Sequence, residues 1–291
     1  MRSEVVMMSR IRNEERWIAR NLERTFQVAG KVVLWDDGST DGTREAVIRA
    51  FADATLDYQS DAVISMWGER FTGKGLHGQC ELHYVHSPFR PALNELEEVS
   101  EIRDKNVLWW YVKSQVKFKH VLCLDGDEML SNALLRNFDK ALEVLENGID
   151  IMTFPFVYLW NDEKHRRVDG VYKNFSVPRL FTVARVDPFD VYEMRFAWQG
   201  HRQGRRVLGG FHCGSVPQEN FLPNGKTPFR AMFQDPVVHF GYMEPADRQA
   251  KYEWYNKIDP GNTFEGQYLH IIEKKNVHAP GSVALVEWRD E

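Results

Sequence analysis

Short apolar runs alternate with helical stripes along the first half of the chain. The run "EVVMM" at 4 to 8 has the length of a buried strand. Trp17, Ile18, Leu22, Phe26 and Val28 follow it on an approximate helical stripe that stops at Gly30. "KVVLWDD" at 31 to 37 predicts a second buried strand, "GSTDGT" a turn, and "DGTREAVIRAF" a second helix with Asp41 or Thr43 available as its cap. Strand, helix, strand, helix predicts a parallel α/β sheet.

The pattern then lapses over residues 53 to 80, where Gly73, Gly75 and Gly78 predict a surface loop. "CELHYVH" at 80 to 86 reads as a third strand, and the stretch from Pro91 to about Lys117 as a helical region leading to the strand "HVLCLD" at 120 to 125. The next helix, "SNALLRNFDKALEVLENG", has Ser131 or Asn132 as cap, Leu134, Leu135, Phe138, Leu142 and Leu145 as core face, and Gly148 as stop. Beyond Gly148 the texture is β-like, which predicts a mixed or antiparallel extension of the same sheet. Phe154, Phe156, Tyr158 and Trp160 alternate as one face of a buried strand. A late helix covers 244 to 259 with Pro245 in its first turn, and the tail after Pro260 is weakly patterned. These readings give one domain over 1–260, with halves 1–148 and 149–260, and a C-terminal tail over 261–291.

Composition narrows the function classes. The 291 residues are 43% hydrophobic and 13% aromatic, enough for a large core. A formal net charge of -5 argues against a broad nucleic-acid surface, although "RQGRR" (Arg202, Arg205, Arg206) forms a local basic patch. Cys80, Cys123 and Cys213 are odd in number and widely spaced, which fits a reducing compartment better than a disulfide framework or zinc ribbon. With no charged-then-apolar leader and no run near the ~20 apolar residues of a membrane span, the expectation is a cytoplasmic protein.

"GKGLHG" at 73 to 78 satisfies G-x-G-x-x-G literally, but neither the preceding strand nor the following helix of a dinucleotide site is present. P-loop, zincin and nucleophile-elbow motifs are absent. The stronger signal is a pair of acidic strand ends: Asp36 and Asp37 in "VVLWDDGSTDGT", Asp125 and Asp127 in "VLCLDGDEM". In an open α/β sheet, ligands bind outside the carboxyl ends of the strands. Carboxylates converging there repel one another unless they hydrogen-bond a ligand or hold a cation, and Mg2+ or Mn2+ suits such oxygen donors together with phosphate. On a strand, the i, i+2 spacing of Asp125 and Asp127 would aim both side chains to one face.

"VVMMSRIRNEERWI", "VVLWDDGSTDGT" and "VLCLDGDEML" together resemble the N-terminal half of family 2 glycosyltransferases of the GT-A fold. The matching motifs fall within residues 4 to 130. The resemblance implies a Rossmann-like nucleotide-diphospho-sugar transferase fold with a mixed central sheet flanked by helices. It further implies transfer of a hexosyl or related group from a nucleotide-diphosphate donor, a UDP-sugar favoured, to an acceptor hydroxyl on a glycan, lipid or other molecule, with inversion. Asp37 would contact the base or ribose, Asp36 would shape that end of the pocket, Asp125 would lie near ribose or sugar, and Asp127 would bind the Mn2+ or Mg2+ on the diphosphate. Arg12, with Arg10, could meet phosphate from the first loop.

His239 in "DPVVHFGYM" is the resemblance's choice for a further metal ligand, with His212 in "GGFHCGSVP" as competitor. An inverting transferase also needs a carboxylate to take the acceptor proton. Glu219 is the first choice, with Asp190, Glu193 and Asp235 as alternatives. The later aromatics, Phe196 and Trp198 among them, could stack on a sugar acceptor, and the basic run at 165 to 167 could meet phosphate or simply be solvated. Two other readings share the acidic edge. One is a nucleotidyltransferase of related build, although the first loop "SRIRNEE" has no glycine; the other is a non-catalytic nucleotide- or sugar-binding module.

Overall fold

Apolar runs that do not alternate belong in a sheet covered on both faces, and strand β1 (Val5–Ile11) meets that condition. Val5 and Met7 point into one core, with Ile18 and Leu22 of helix α1 (Ile18–Thr25). Val6 and Met8 point into the other, with Val33 and Trp35 of β2 (Lys31–Asp36). The computed structural model describes residues 2–50, 57–58, 70–74, 81–86, 101–182, 228–258, 268–272 and 283–291.

After β2 come helix α2 (Thr43–Ala50) and strands β3 (Asp57–Tyr58), β4 (Arg70–Lys74) and β5 (Glu81–His86). Helix α3 (Glu101–Gln115), strands β6 (His120–Cys123) and β7 (Glu128–Leu130) and helix α4 (Asn132–Glu146) complete the first half. The second half contributes β8 (Ile151–Trp160), β9 (Asp162–Arg167), β10 (Ser176–Thr182), β11 (Arg230–Met232), β12 (Val237–His239), α5 (Pro245–Ile258) and β13 (Leu285–Glu287).

Strands β6, β1, β2 and β5 lie side by side and parallel, so their carboxyl ends share one edge. β10 runs antiparallel beside β6, and β8 antiparallel beside β10, which returns the carboxyl end of β8 to the same edge. β12 is parallel to β8 and brings His239 there too. The antiparallel extension expected after Gly148 is therefore present. Helices α1, α2 and α4 line one face and α3 the other, giving an α/β protein with a mixed sheet flanked by helices.

Three expectations change. Residues 57–58 and 70–74 are strands, pairing antiparallel outward from β5, so the region expected to be a loop carries the sheet edge in part. Gly73 and Lys74 of the literal glycine motif belong to β4, while 75–80 lies outside the described residues. Strand β6 stops at Cys123, so Asp125 and Asp127 stand in the turn to β7 and strand alternation does not aim them. The weakly patterned tail also has a place: β13 pairs antiparallel with β9, and Asp290 accepts from the Asn132 amide at 2.7 Å at the start of α4. A carboxylate there meets unpaired amides and the positive end of the helix dipole.

Helix α4 shows why the sequence pattern was readable. The Ser131 side chain accepts from the Leu134 amide at 3.1 Å, and Gly148 takes φ 115°, a left-handed value that stops the chain. Leu134, Phe138, Ala141, Leu142 and Leu145 are fully buried against the sheet. Each large side chain so buried contributes about 1.5–3 kcal/mol. Phe138→Ala is expected to cost about 3–5 kcal/mol, read as a lowered urea midpoint at unchanged slope.

Candidate functional site

The carboxyl edge of the parallel strands carries two acidic turns. In the first, Asp36 is completely buried and accepts from the Tyr84 hydroxyl and, at 2.8 Å, from the Ser39 amide; His86 Nδ1 lies 3.5 Å away. Burial would push this carboxyl up, but the hydrogen bonds from His86, Tyr84 and Ser39 bring it below the ordinary range. Asp36 thus anchors the turn. Asp37, also buried, pairs with the Arg10 guanidinium. The first loop is locked onto this turn: Asn13 Oδ1 accepts from the Thr40 amide at 2.9 Å, and the Glu14 amide donates to Thr43 Oγ1 at 2.7 Å. Arg12 instead sets its guanidinium over the Trp254 ring of α5, 5.3 Å from the centroid.

The second acidic turn, between β6 and β7, is held from three sides. Asn21 of α1 donates to the Glu128 carbonyl at 2.6 Å, the Asp125 amide donates to Glu128 Oε2 at 3.1 Å, and Arg179 of β10 pairs with Glu128. Burial pushes the Glu128 carboxyl up, and the Arg179 guanidinium beside it pulls the other way. Glu128 therefore fastens the turn rather than facing a ligand. Asp125 lies 3.4 Å from Arg179 and 3.5 Å from Lys105 of α3. Burial opposes its ionisation, yet these two cations hold it below the usual carboxylate range.

Asp127 and His239 do meet: His239 Nε2 lies 3.4 Å from Asp127 Oδ2. The imidazole is packed among Phe156, Tyr158 and Tyr242, and burial brings its pKa down to about 4, so the ring is neutral near pH 7. The cation that balances Asp127 is Lys251 of α5, whose ammonium donates to the same Oδ2 at 2.5 Å. Burial alone would raise the Asp127 carboxyl and depress the Lys251 amine; their pairing reverses both directions. Glu14, whose carboxyl burial pushes well up, faces Asp127 and Lys251 from the first loop.

A divalent ion needs lone pairs from several oxygens at once. Asp127 and His239 are the chemically apt pair, but the carboxylate oxygen they would share with the ion carries the Lys251 ammonium. Asp125 is flanked by two further cations, and among the described residues no three His, Cys, Asp or Glu side chains converge on one metal-sized position. The arrangement fits three protein cations better than one bound metal.

One pocket lies beside the second acidic turn. Met8, Arg10, Lys105, Leu108, Cys123, Leu124 and Asp125 line it, between the carboxyl ends of β1 and β6. Arg10 links the turns, since it pairs with Asp37 while lining the pocket beside Asp125. Cys123, the last residue of β6, is a buried free thiol.

Other expected site residues fall elsewhere. Asp235 precedes β12, at the end of that strand remote from His239, and accepts from Asn137 of α4 at 2.9 Å. Asp190, Glu193, His212, Glu219, Phe196, Trp198 and the "RQGRR" patch lie outside the described residues. Lys105, Arg179, Lys251 and Glu14 were not read as site residues. The first three sit in a helix or strand with no local motif, and only "SRIRNE", which includes Glu14, carried a signal.

Fold and site together define an α/β protein with a charged crevice at the carboxyl edge of a mixed sheet. No protein-family model and no curated protein matches the chain. Among solved structures, S. aureus TarS 1-349 aligns over 92% of this chain and 69% of its own, at 11% identity and a TM-score of 0.42. The same fragment in complex with UDP-GlcNAc aligns over 92% and 70%, at 11% identity and a TM-score of 0.38. The inositol-1-phosphate CTP transferase from T. maritima aligns over 90% and 98%, at 10% identity and a TM-score of 0.37. Likeness at these levels transfers no activity.

Arg179→Ala leaves the buried Glu128 without its cation and is expected to destabilise the protein by about 3–5 kcal/mol in urea unfolding. Adding Glu128→Gln, which removes the charge and keeps an acceptor for the Asp125 amide, should recover roughly half of that loss.

Proposed function

We propose that the crevice binds a nucleoside-diphosphate sugar, a UDP-sugar favoured, and that the chain transfers the sugar to an acceptor hydroxyl. The observation that carries this reading is a pocket lined by Asp125, Lys105 and Arg10, the last of which pairs with Asp37 of the first acidic turn. Acidic side chains suit the N–H and hydroxyl donors of base and ribose, whereas cations suit a diphosphate, and the pocket sets the two kinds side by side.

In this reading Asp37 takes a base or ribose donor, with Asp36 fixing the turn beneath it. Asp125 faces ribose or sugar, and Arg10 and Lys105 meet phosphate oxygens. The acceptor oxygen attacks the anomeric carbon, the bond from that carbon to the diphosphate oxygen breaks, and the nucleoside diphosphate leaves with the electron pair. The acceptor proton passes to a carboxylate, for which Glu219 and then Asp190 are proposed. Attack opposite the leaving group inverts the anomeric centre. Fixed cations at the departing diphosphate stabilise the charge that develops there.

Supplying UDP-, GDP-, CMP- and dTDP-sugars in turn, with and without Mn2+, and following release of the nucleotide tests the proposal. A UDP-sugar is expected to be consumed, and Asp37→Ala to weaken UDP binding by about tenfold, the loss of one charged hydrogen bond. Consumption and binding of none of these donors would sink the reading. Glu219→Gln should abolish transfer while UDP binding stays intact; unchanged transfer moves the role of base to Asp190.

A further inference from the structure

We infer that Lys251 is the resident cation of the donor site: its ammonium takes the place at Asp127 where a divalent metal would sit, and the donor diphosphate is held without Mn2+ or Mg2+. The inference deepens the nucleotide-sugar reading and rests on it for the identity of the ligand.

The seat of Lys251 is built from several elements. Its Nζ lies 2.5 Å from Asp127 Oδ2, the oxygen that also faces His239 Nε2 at 3.4 Å. The Tyr242 ring lies 5.3 Å from the ammonium, an aromatic face turned to a cation. Gly241 makes room for the pair, since a methyl group at that position would overlap both the Asp127 carboxylate and the Lys251 ammonium. α5 supplies the lysine, the β6–β7 turn the carboxylate, and the segment after β12 the clearance.

A metal entering at Asp127 would have to displace this ammonium and strand it beside Glu14 and Tyr242 without its main counter-charge. Asp127 is the buried member of the pair, and the exchange would give up its charge-assisted hydrogen bond from Lys251. The remaining carboxylates repeat the pattern, for Asp37 is matched by Arg10 and Asp125 by Lys105 and Arg179. An ammonium carries three N–H donors, so binding Asp127 does not exhaust its capacity for a phosphate oxygen. The Lys251 side chain keeps 29% of its surface exposed and is within reach of a ligand.

Two measurements on the full chain test this, using Lys251→Ala and, as a milder variant that keeps a hydrogen bond to Asp127 and protects the fold, Lys251→Gln. In the first, Mn2+ alone is titrated and free Mn2+ is followed by electron paramagnetic resonance. The uncharged variants are expected to take up one Mn2+ at least about tenfold more tightly than the wild type, because Asp127 and His239 are released to it. Equal uptake by wild type and variants, including none by any of them, overturns the inference. In the second, UDP is titrated calorimetrically in EDTA and in Mn2+. The wild type should bind equally in both within about twofold, and Lys251→Gln should weaken about tenfold in EDTA. Wild-type binding of UDP that needs Mn2+ overturns the inference. Should UDP bind in neither condition, the donor reading fails, while the Mn2+ titration still decides the role of Lys251.

Discussion

Removing a carboxylate from water is expensive, and the carboxyl edge of this sheet removes several at once. Asp36, Asp37, Asp127 and Glu128 are all buried there, with Asp125 beside them. An ion pair in water contributes about 0–1 kcal/mol, but a buried charge left unpaired costs several, so each acid requires a partner before the fold can close. The partners come from all parts of the chain. Arg10 comes from β1, Tyr84 from β5, Lys105 from α3, Arg179 from β10 and Lys251 from α5. Charge balance at this edge ties the parallel half to the antiparallel half.

The division of labour among the acids follows from what surrounds each one. Asp36 and Glu128 spend their oxygens on backbone amides and protein side chains, and they shape turns. Asp37 and Asp125 are paired with cations that also line the pocket, where a ligand can share them. Asp127 is distinguished by an ammonium on the oxygen nearest His239. Three acidic residues within four positions thus have three different surroundings, set by contacts with distant elements.

What the sequence made legible was periodic. α1, α4 and α5 announced themselves through stripes, caps and Pro245, and β1, β2 and β6 through apolar runs, because each rule is local. The acidic turns were legible as well, since charge directly after an apolar run is a local signal. Strands β3 and β4 were not: edge strands need no buried stripe, and the glycines around 73 to 78 read as a loop. The placement of Asp125 and Asp127 in a turn depended on β6 stopping two residues early, where Glu128 and Asn21 take over the backbone groups. The cations escaped for a different reason. Lys105 and Lys251 sit among polar helix residues and Arg179 in a mostly apolar strand, and no local motif marks which charged side chain the fold turns inward.

The two-faced burial of β1 also sets an order of events along the chain. β1 pairs with β2 within the first forty residues, but its other edge waits for β6, which sets Val5 opposite His120. Closing so long a span pays its loop entropy before the contacts repay it, and such non-local parallel pairing is slow. Until β6 arrives, β1 has one bare edge, and the second acidic turn has no wall to stand against. Loop closure alone thus favours forming the crevice after β1 has been enclosed from both sides.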